Sequence, residues 1–404
     1  MDKTRFIIAG YCIDGSGAGF RKNVYLAVSN GIIAAIGNAN DLTGHDRAAA
    51  LDLSHCTIVP ALVDCSVSLS RSPSMDPRLH TSRETADPEQ RATLIDRHIR
   101  YCHGHGVLGV ADGDDPSHLV QRHKNTGTLA NIITIRTSGP LCLSRDDCRG
   151  SIDIDFLKIG YAFDVDAEKL LVPRMCHADL DQILRQETSK KKVVVANGPQ
   201  AVAEALAAGC DAIEQGYHMG EENLRKMADK GVVWIPSAIR AKNGVNSSAS
   251  SGDVCCRFSQ RSVAPGKPNP GAEALWQKLL ASQLAQLRLA RTLEVPVAIG
   301  TGAGSTGILH GESVVEEIKM LIKAGYSLEE AIRCASVQGA HFFGMMELGP
   351  LTVGQQATFL ITRGTPYQLP RKLSYLEGIY INGTPSAAYQ KNPVKVVRSC
   401  DTSG

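Results

Sequence analysis

Apolar residues run through this chain in two textures. Near the N-terminus they form short blocks, Arg5–Ile8, Asn23–Val28 and Ile32–Ile36, separated by Asp14-Gly15, Gly17, Gly19 and Asn30-Gly31. Blocks of that length between glycine-bearing turns predict strands. Asn30-Gly31 has the form of a two-residue hairpin turn. The C-terminal part repeats the texture with Ala357–Thr362, Gly378–Ile381 and then Asn382-Gly383.

Between these ends, short apolar segments alternate with amphipathic ones. Strands are predicted at Thr57–Ser66, Val107–Asp112, Ile132–Thr137, Asp155–Ile159, Lys192–Ala196, Ala212–Gln215, Val232–Pro236 and Val297–Thr301. Helices are predicted between them at Pro88–His103, Ser117–Lys124, Ala178–Thr188, Pro199–Ala208, Glu221–Lys230 and Ala272–Thr292, and after them at Glu312–Ala324 and Ser327–Phe343. Leucine, alanine and aromatic residues at three- and four-residue spacing along Ala272–Thr292 form a core-facing stripe. Asn243–Gly271, rich in Ser, Gly, Pro and Asn, reads as a long loop at the seventh strand, either mobile or acting as a lid. Strand–helix units repeated in this way predict an α/β fold, a (β/α)8 TIM-type barrel. A small β-sandwich domain formed by both chain termini completes it: residues 1–56 and 346–404 for the sandwich, 57–345 for the barrel.

Composition narrows the function classes. At 404 residues, with 43% hydrophobic and 21% charged positions, the chain suits a large domain with a satellite. A net charge of +2 and the lack of a Lys/Arg block argue against a nucleic-acid partner. The run Phe6–Gly10 is far short of a signal peptide's apolar region, and no stretch reaches the roughly 18 apolar residues of a membrane span. A cytoplasmic protein is expected. Its twelve cysteines contain no C-x-x-C pair; Cys255-Cys256 is the one close set, and reduced, mostly buried thiols are expected.

Several passages resemble the amidohydrolase superfamily, in its imidazolonepropionase/prolidase-like branch. They are Asn30–Gly37, Leu51–Ser54, Ile58–Asp64, Asn197-Gly198-Pro199, Ala212-Ile213-Glu214 with Gly216-Tyr217, Gly300-Thr301 with Ala303-Gly304-Ser305, and Leu348–Leu351 with Gly354. The resemblance implies a metal-dependent hydrolase of C–N bonds, with its site at the C-terminal ends of the barrel strands. It also implies two histidines at i and i+2 on the first strand, a carboxylated lysine on the fourth, histidines on the fifth and sixth, and an aspartate after the eighth. In this chain those positions are Ser66, Ser68, Lys158, Val195, Gln215 and Gly302. Lys158 alone matches. Valine and glycine offer no side-chain ligand, and serine and glutamine are poor ones. Cys65 lies one residue out of register and is expected to face the surrounding helices.

The metal centre is therefore expected to be absent, with no cofactor in its place. Other groups near the mouth offer alternatives. His218 and His310 follow strands six and eight, His80 follows strand one, and Tyr161 lies close to Lys158 in the chain. His103 and His105 precede the second strand and read as surface or helix-cap residues, and His177 as a loop residue. Asp112, Asp114 and Asp115 read as a turn. No G-x-S-x-G elbow is present, and Gly15–Gly19 lies in the wrong context for a dinucleotide fingerprint. Three functions remain open. The first is a catalytically degenerate scaffold or partner subunit, homo-oligomeric or paired with an active paralogue. The second is a metal-independent hydrolase or lyase using Lys158 and the mouth histidines, and the third a sensor that binds a small molecule.

Overall fold

Strand β1 (Arg5–Cys12) pairs antiparallel with β2 (Arg21–Ser29), which pairs with β3 (Ile32–Asn38). Asn30 and Gly31 take φ values of 51° and 78°, the positive pair that a tight hairpin turn requires and that asparagine and glycine tolerate best. The structure is a computed structural model of the chain and describes residues 4–74, 87–116, 118–126, 132–149, 153–163, 175–248, 270–389 and 391. His80 and Cys255-Cys256 lie outside these residues.

The predicted strand Thr57–Ser66 is two strands. β4 (Leu51–Pro60) pairs with β1 and with β12 (Phe359–Arg363), while β5 (Leu62–Val67) pairs with β6 (Val107–Asp112). Pro60 has no N–H to continue a ladder, and at Ala61 the chain changes sheets. With β13 (Leu376–Ile381) and β14 (Thr384–Pro385), the terminal strands form one mixed sheet of seven, ordered β14-β13-β12-β4-β1-β2-β3. The sheet returns on itself, since Ile32 at the β3 edge bridges to Gln356, just before β12. Ile7, Leu26, Ile33, Ile58 and Phe359 pack together as its core.

The central strands are parallel. β5, β6 and β7 (Thr134–Thr137) form one sheet. β8 (Phe156–Ala162), β9 (Lys191–Ala196), β10 (Ala212–Gln215) and β11 (Val233–Ile235) form another. β5, β6 and β8 are buried along their whole length, as expected of parallel strands covered on both faces. Residues 297–301, predicted as an eighth strand, make isolated contacts instead of a ladder. Val297 bridges to Trp234, and Ile299 O accepts from Cys65 N at 2.8 Å. Thr137 O accepts from Asp155 N at 2.8 Å on the other side, linking β7 to the start of β8.

Helix boundaries follow local chemistry. Helices α1 (Gly44–Ala49), α2 (Pro88–Gly104), α3 (Leu119–Thr126), α4 (Arg145–Arg149) and α5 (His177–Gln186) precede α6 (Pro199–Ala208), which starts on proline and ends at left-handed Gly209. α7 (Glu221–Lys230) ends likewise at Gly231. Residues 243–248 belong to α8 (Ala238–Ser248), not to a loop, and the next helix, α9 (Pro270–Thr292), already includes residues 270 and 271. After α10 (Glu312–Lys323), the predicted helix Ser327–Phe343 divides into α11 (Leu328–Cys334) and α12 (Val337–Phe342). Ser327 and Glu330 form a reciprocal capping box that starts α11. At the break, the Ser336 hydroxyl donates to Ile332 O at 2.6 Å, a side-chain bond that competes with the helical ladder.

Candidate functional site

Strand alternation decides which side chains meet at the ends of β5, β8, β9 and β10. Lys158 pairs in register with Val193, and Gly160 with Val195. Val195 in turn pairs with Glu214, and Val193 with Ala212. Lys158, Val195 and Glu214 therefore project from the same face of this sheet. The Lys158 side chain crosses it to place Nζ 2.7 Å from Glu214 Oε2. On the opposite sheet, Ser66 Oγ donates to Glu214 Oε1 at 2.8 Å and lies 3.4 Å from Lys158 Nζ. The three residues are 8%, 5% and 3% exposed. Lys158 lies against the backbone of Gly113, where an added methyl would sit 2.5 Å from its Nζ.

Asp64 lies below this cluster. Its carboxylate accepts from Thr301 Oγ1 at 2.5 Å, Thr301 N at 2.8 Å and Ser66 N at 3.2 Å. Burial pushes its pKa up to about 7 despite these bonds. Asp64 thus ties residues 297–301 to β5 and fixes the backbone that carries Ser66.

The other expected positions are arranged differently. Ser68 Oγ donates to Asp114 O at 2.9 Å, away from Lys158. Gln215 has φ 68° and accepts from Asn197 Nδ2 at 2.7 Å, so its side chain serves the β9–β10 ends. Gly302 has φ 71°, and a Cβ there would meet only Ser305 Oγ, at 3.9 Å. Tyr161 projects from the face of β8 opposite Lys158, and its hydroxyl reaches Glu204 on α6 at 2.5 Å. His218 is exposed and pairs with Ser282 on α9 at 3.0 Å. Neither belongs to the Lys158 cluster. Cys65 faces the helices as expected, with its sulfur against Gly339 of α12.

His310 is buried and donates from Nε2 to Ser68 O at 2.9 Å, while its ring stacks on His98 at 3.8 Å between centroids. Burial lowers its pKa to about 4, which keeps the ring neutral. It supports the backbone at the β5 end. His103, read as a surface or helix-cap residue, lies in the last turn of α2 but is buried, with Nε2 2.9 Å from Ser386 Oγ. Asp112 accepts from Leu69 N at 2.6 Å, and Asp115 caps α3 by accepting from Leu119 N and Val120 N, both at 2.8 Å.

Sequence reasoning missed Glu214. It precedes Gln215, the residue that the resemblance aligns with a metal ligand, and period-two alternation places the two on opposite faces. The signal was available in the strand itself: an acidic residue inside the apolar run Ala212–Gln215 needs a buried partner.

The whole-chain architecture matches solved hydrolase structures. A Xaa-Pro dipeptidase with bound methionine superposes with a TM-score of 0.78 at 18% identity, covering 95% of this chain and 100% of that one. An ochratoxinase of A. niger gives 0.76 at 17% identity over 95% and 96%. A putative prolidase from Bifidobacterium longum gives 0.72 at 17% identity over 98% of each chain. Likeness at this level of identity concerns the fold, a TIM barrel with an additional domain. Among curated sequences, the uncharacterized protein Rv2915c of Mycobacterium tuberculosis is 26% identical over 183 residues, and the match spans 45% of this chain and 44% of that protein. The sequence model of the amidohydrolase family matches residues 179–398. The chain belongs to the amidohydrolase family.

The residues present do not fit the metal centre that this family implies. Val195 and Gly302 have no side-chain donor atom, and Lys158 is engaged by Glu214. Among the described residues, no group of three or more His, Cys, Asp or Glu side chains is placed to hold a metal ion. Among the same residues, no helix is long and apolar enough to cross a membrane.

Proposed function

We propose that this amidohydrolase-family chain has exchanged its metal centre for an internal ion pair and acts without metal-dependent hydrolysis, as a scaffold or partner subunit. The observation that carries this reading is the buried Lys158–Glu214 contact of 2.7 Å, closed by Ser66. Its amine is the cation of that pair, so it is committed neither to a carbamate nor to work as a base while the pair holds. An unpaired buried ammonium would be costly, and Glu214 supplies its counter-charge. The two parallel sheets and residues 297–301 are read as one closed eight-stranded barrel, covering 57–345. Residues 1–56 and 346–404 are read as the accompanying β-domain. A cytoplasmic homo-oligomer, or a complex with an active paralogue, fits this role.

Elemental analysis of the purified chain, paired with a panel of X-Pro dipeptides and N-acyl amino acids, tests the proposal. The expected result is no stoichiometric zinc, iron or manganese and no turnover, with or without added zinc. About one metal per chain would sink it. A second reading, a metal-independent hydrolase or lyase, rests on the position of Ser66 Oγ between Glu214 and Lys158. Turnover without metal that disappears in Ser66→Ala would favour that reading instead.

A further inference from the structure

The connection from β12 to β13 combines exposed aromatic rings with cations. It folds through two single-turn helical segments, Pro366–Gln368 and Arg371–Ser374, and buried Leu373 anchors it. Against α10 it encloses a cavity of about 800 Å³, whose lining includes Lys319, Tyr367, Arg371, Lys372 and Tyr375. That volume is in the range of small-molecule sites. Among the described residues, no Asp or Glu lines it. Lys319 Nζ donates to Glu316 Oε1 at 2.6 Å, but Glu316 also accepts from Lys242, so one carboxylate serves two lysines. Among the described residues, the Arg371 and Lys372 side chains have no hydrogen bond or ion pair. A concave wall with cations and no lining carboxylate concentrates positive potential. Tyr367 is 80% exposed. Its ring meets Phe20 at 88° with centroids 5.8 Å apart, and Phe20 in turn meets Tyr11 at 5.7 Å. A perpendicular contact steadies the tyrosine ring and leaves at least one of its faces uncovered by Phe20.

We propose that this cavity binds a nucleoside polyphosphate, with its phosphates on Arg371, Lys372 and Lys319 and its base stacked on Tyr367. The Arg371 guanidinium can donate two parallel N–H bonds to one phosphate, while the lysines act as point charges toward its neighbours. Several cations in one cavity call for an anion of several charges, and a polyphosphate carries them in a short row. The open tyrosine face calls for a flat ring, and stacking accepts any base because each has a π-face. An inorganic anion would use the cations and leave the ring idle; an uncharged aromatic would do the reverse. None of these residues belongs to the Lys158–Glu214 cluster, so the inference is independent of the reading given to that pair.

Isothermal titration calorimetry of the full chain tests it, with ATP, inorganic tripolyphosphate and adenosine as probes. ATP is expected to saturate one site per chain, and tripolyphosphate and adenosine each to bind at least about tenfold more weakly. Arg371→Gln combined with Lys372→Gln should weaken ATP and tripolyphosphate alike, by about tenfold or more. Tyr367→Ala should weaken ATP by about tenfold and leave tripolyphosphate unchanged, a split that a simple charged patch does not produce. Thermal unfolding of each variant confirms that it is folded. The proposal is overturned if ATP does not saturate, or if the Arg371/Lys372 variant binds it as wild type does. It is equally overturned if tripolyphosphate binds as tightly as ATP, or if a polyglutamate peptide outcompetes ATP, which would assign the surface to an acidic protein segment instead.

Discussion

Replacing Lys158 with methionine removes the cation of the buried pair while keeping most of the side-chain volume. At 2.7 Å, opposite unit charges attract by about 6 kcal/mol gross for an effective dielectric constant of ~20. Desolvation of the two ions takes back several kcal/mol each, so the net worth of the pair against an apolar substitute is near zero. Breaking one side is different, because Glu214 is then left buried with only the Ser66 hydroxyl on Oε1. Lys158→Met is expected to cost about 3–5 kcal/mol, whereas Lys158→Met combined with Glu214→Leu should recover most of that loss. Urea unfolding of wild type, both single variants and the double variant, with m held common, gives the coupling energy. Additive losses, or a Lys158→Met chain as stable as wild type, would refute the buried pairing on which the proposed function stands.

Other expectations follow from individual groups. Asp112 is buried with its pKa pushed up to about 8 by burial, from 3.8. Its contribution is therefore full below the unfolded value and is lost as pH rises toward 8, on the order of 5 kcal/mol in total, so Asp112→Asn should flatten the fall of Tm across that window. For His310, lowered from 6.5 to about 4, the sign is opposite. Stability is lost as pH falls from 6.5 toward 4, by about 3 kcal/mol, and His310→Gln should remove that acid limb; an unchanged limb would sink the assignment. Gly302→Asp meets no clash at its Cβ but a left-handed backbone, and calorimetry should record a folded protein destabilised by about 1–3 kcal/mol. Gly113→Ala should instead displace Lys158 and lose stability much as Lys158→Met does, whereas equal stability of wild type and Gly113→Ala would contradict the close packing there.

Legibility from sequence varied with the local character of each signal. Pro199–Ala208 and Glu221–Lys230 match to the residue because proline and glycine mark their ends. Val107–Asp112 and Ala212–Gln215 also match, being apolar runs bounded by turns. Ala238–Ser248 was hidden by its Asn, Gly and Ser content. What holds it is remote in sequence: buried Glu317 accepts from Ile239 N at 2.9 Å, satisfying a donor at the start of the helix. The break at Ala61 was equally hidden, since Thr57–Ser66 reads as one mostly apolar run and only the partner strands assign its halves to different sheets. At the site, the resemblance located Lys158 and Ser66, whereas Glu214 emerged only from its contacts with them. The rest of the predicted mouth came apart because Tyr161 and His218 find partners on helices, which sequence spacing does not reveal.

The order of the terminal sheet bears on how this protein is made. β4 sits between β1 and β12, so it waits for a neighbour that is synthesised far later in the chain. Until then one side of β4 is an unsatisfied edge, and edges of that kind recruit other chains. A nascent chain halted before Phe359 would carry that adhesive seam with nothing to cover it, so early release should yield aggregates, not a smaller working domain.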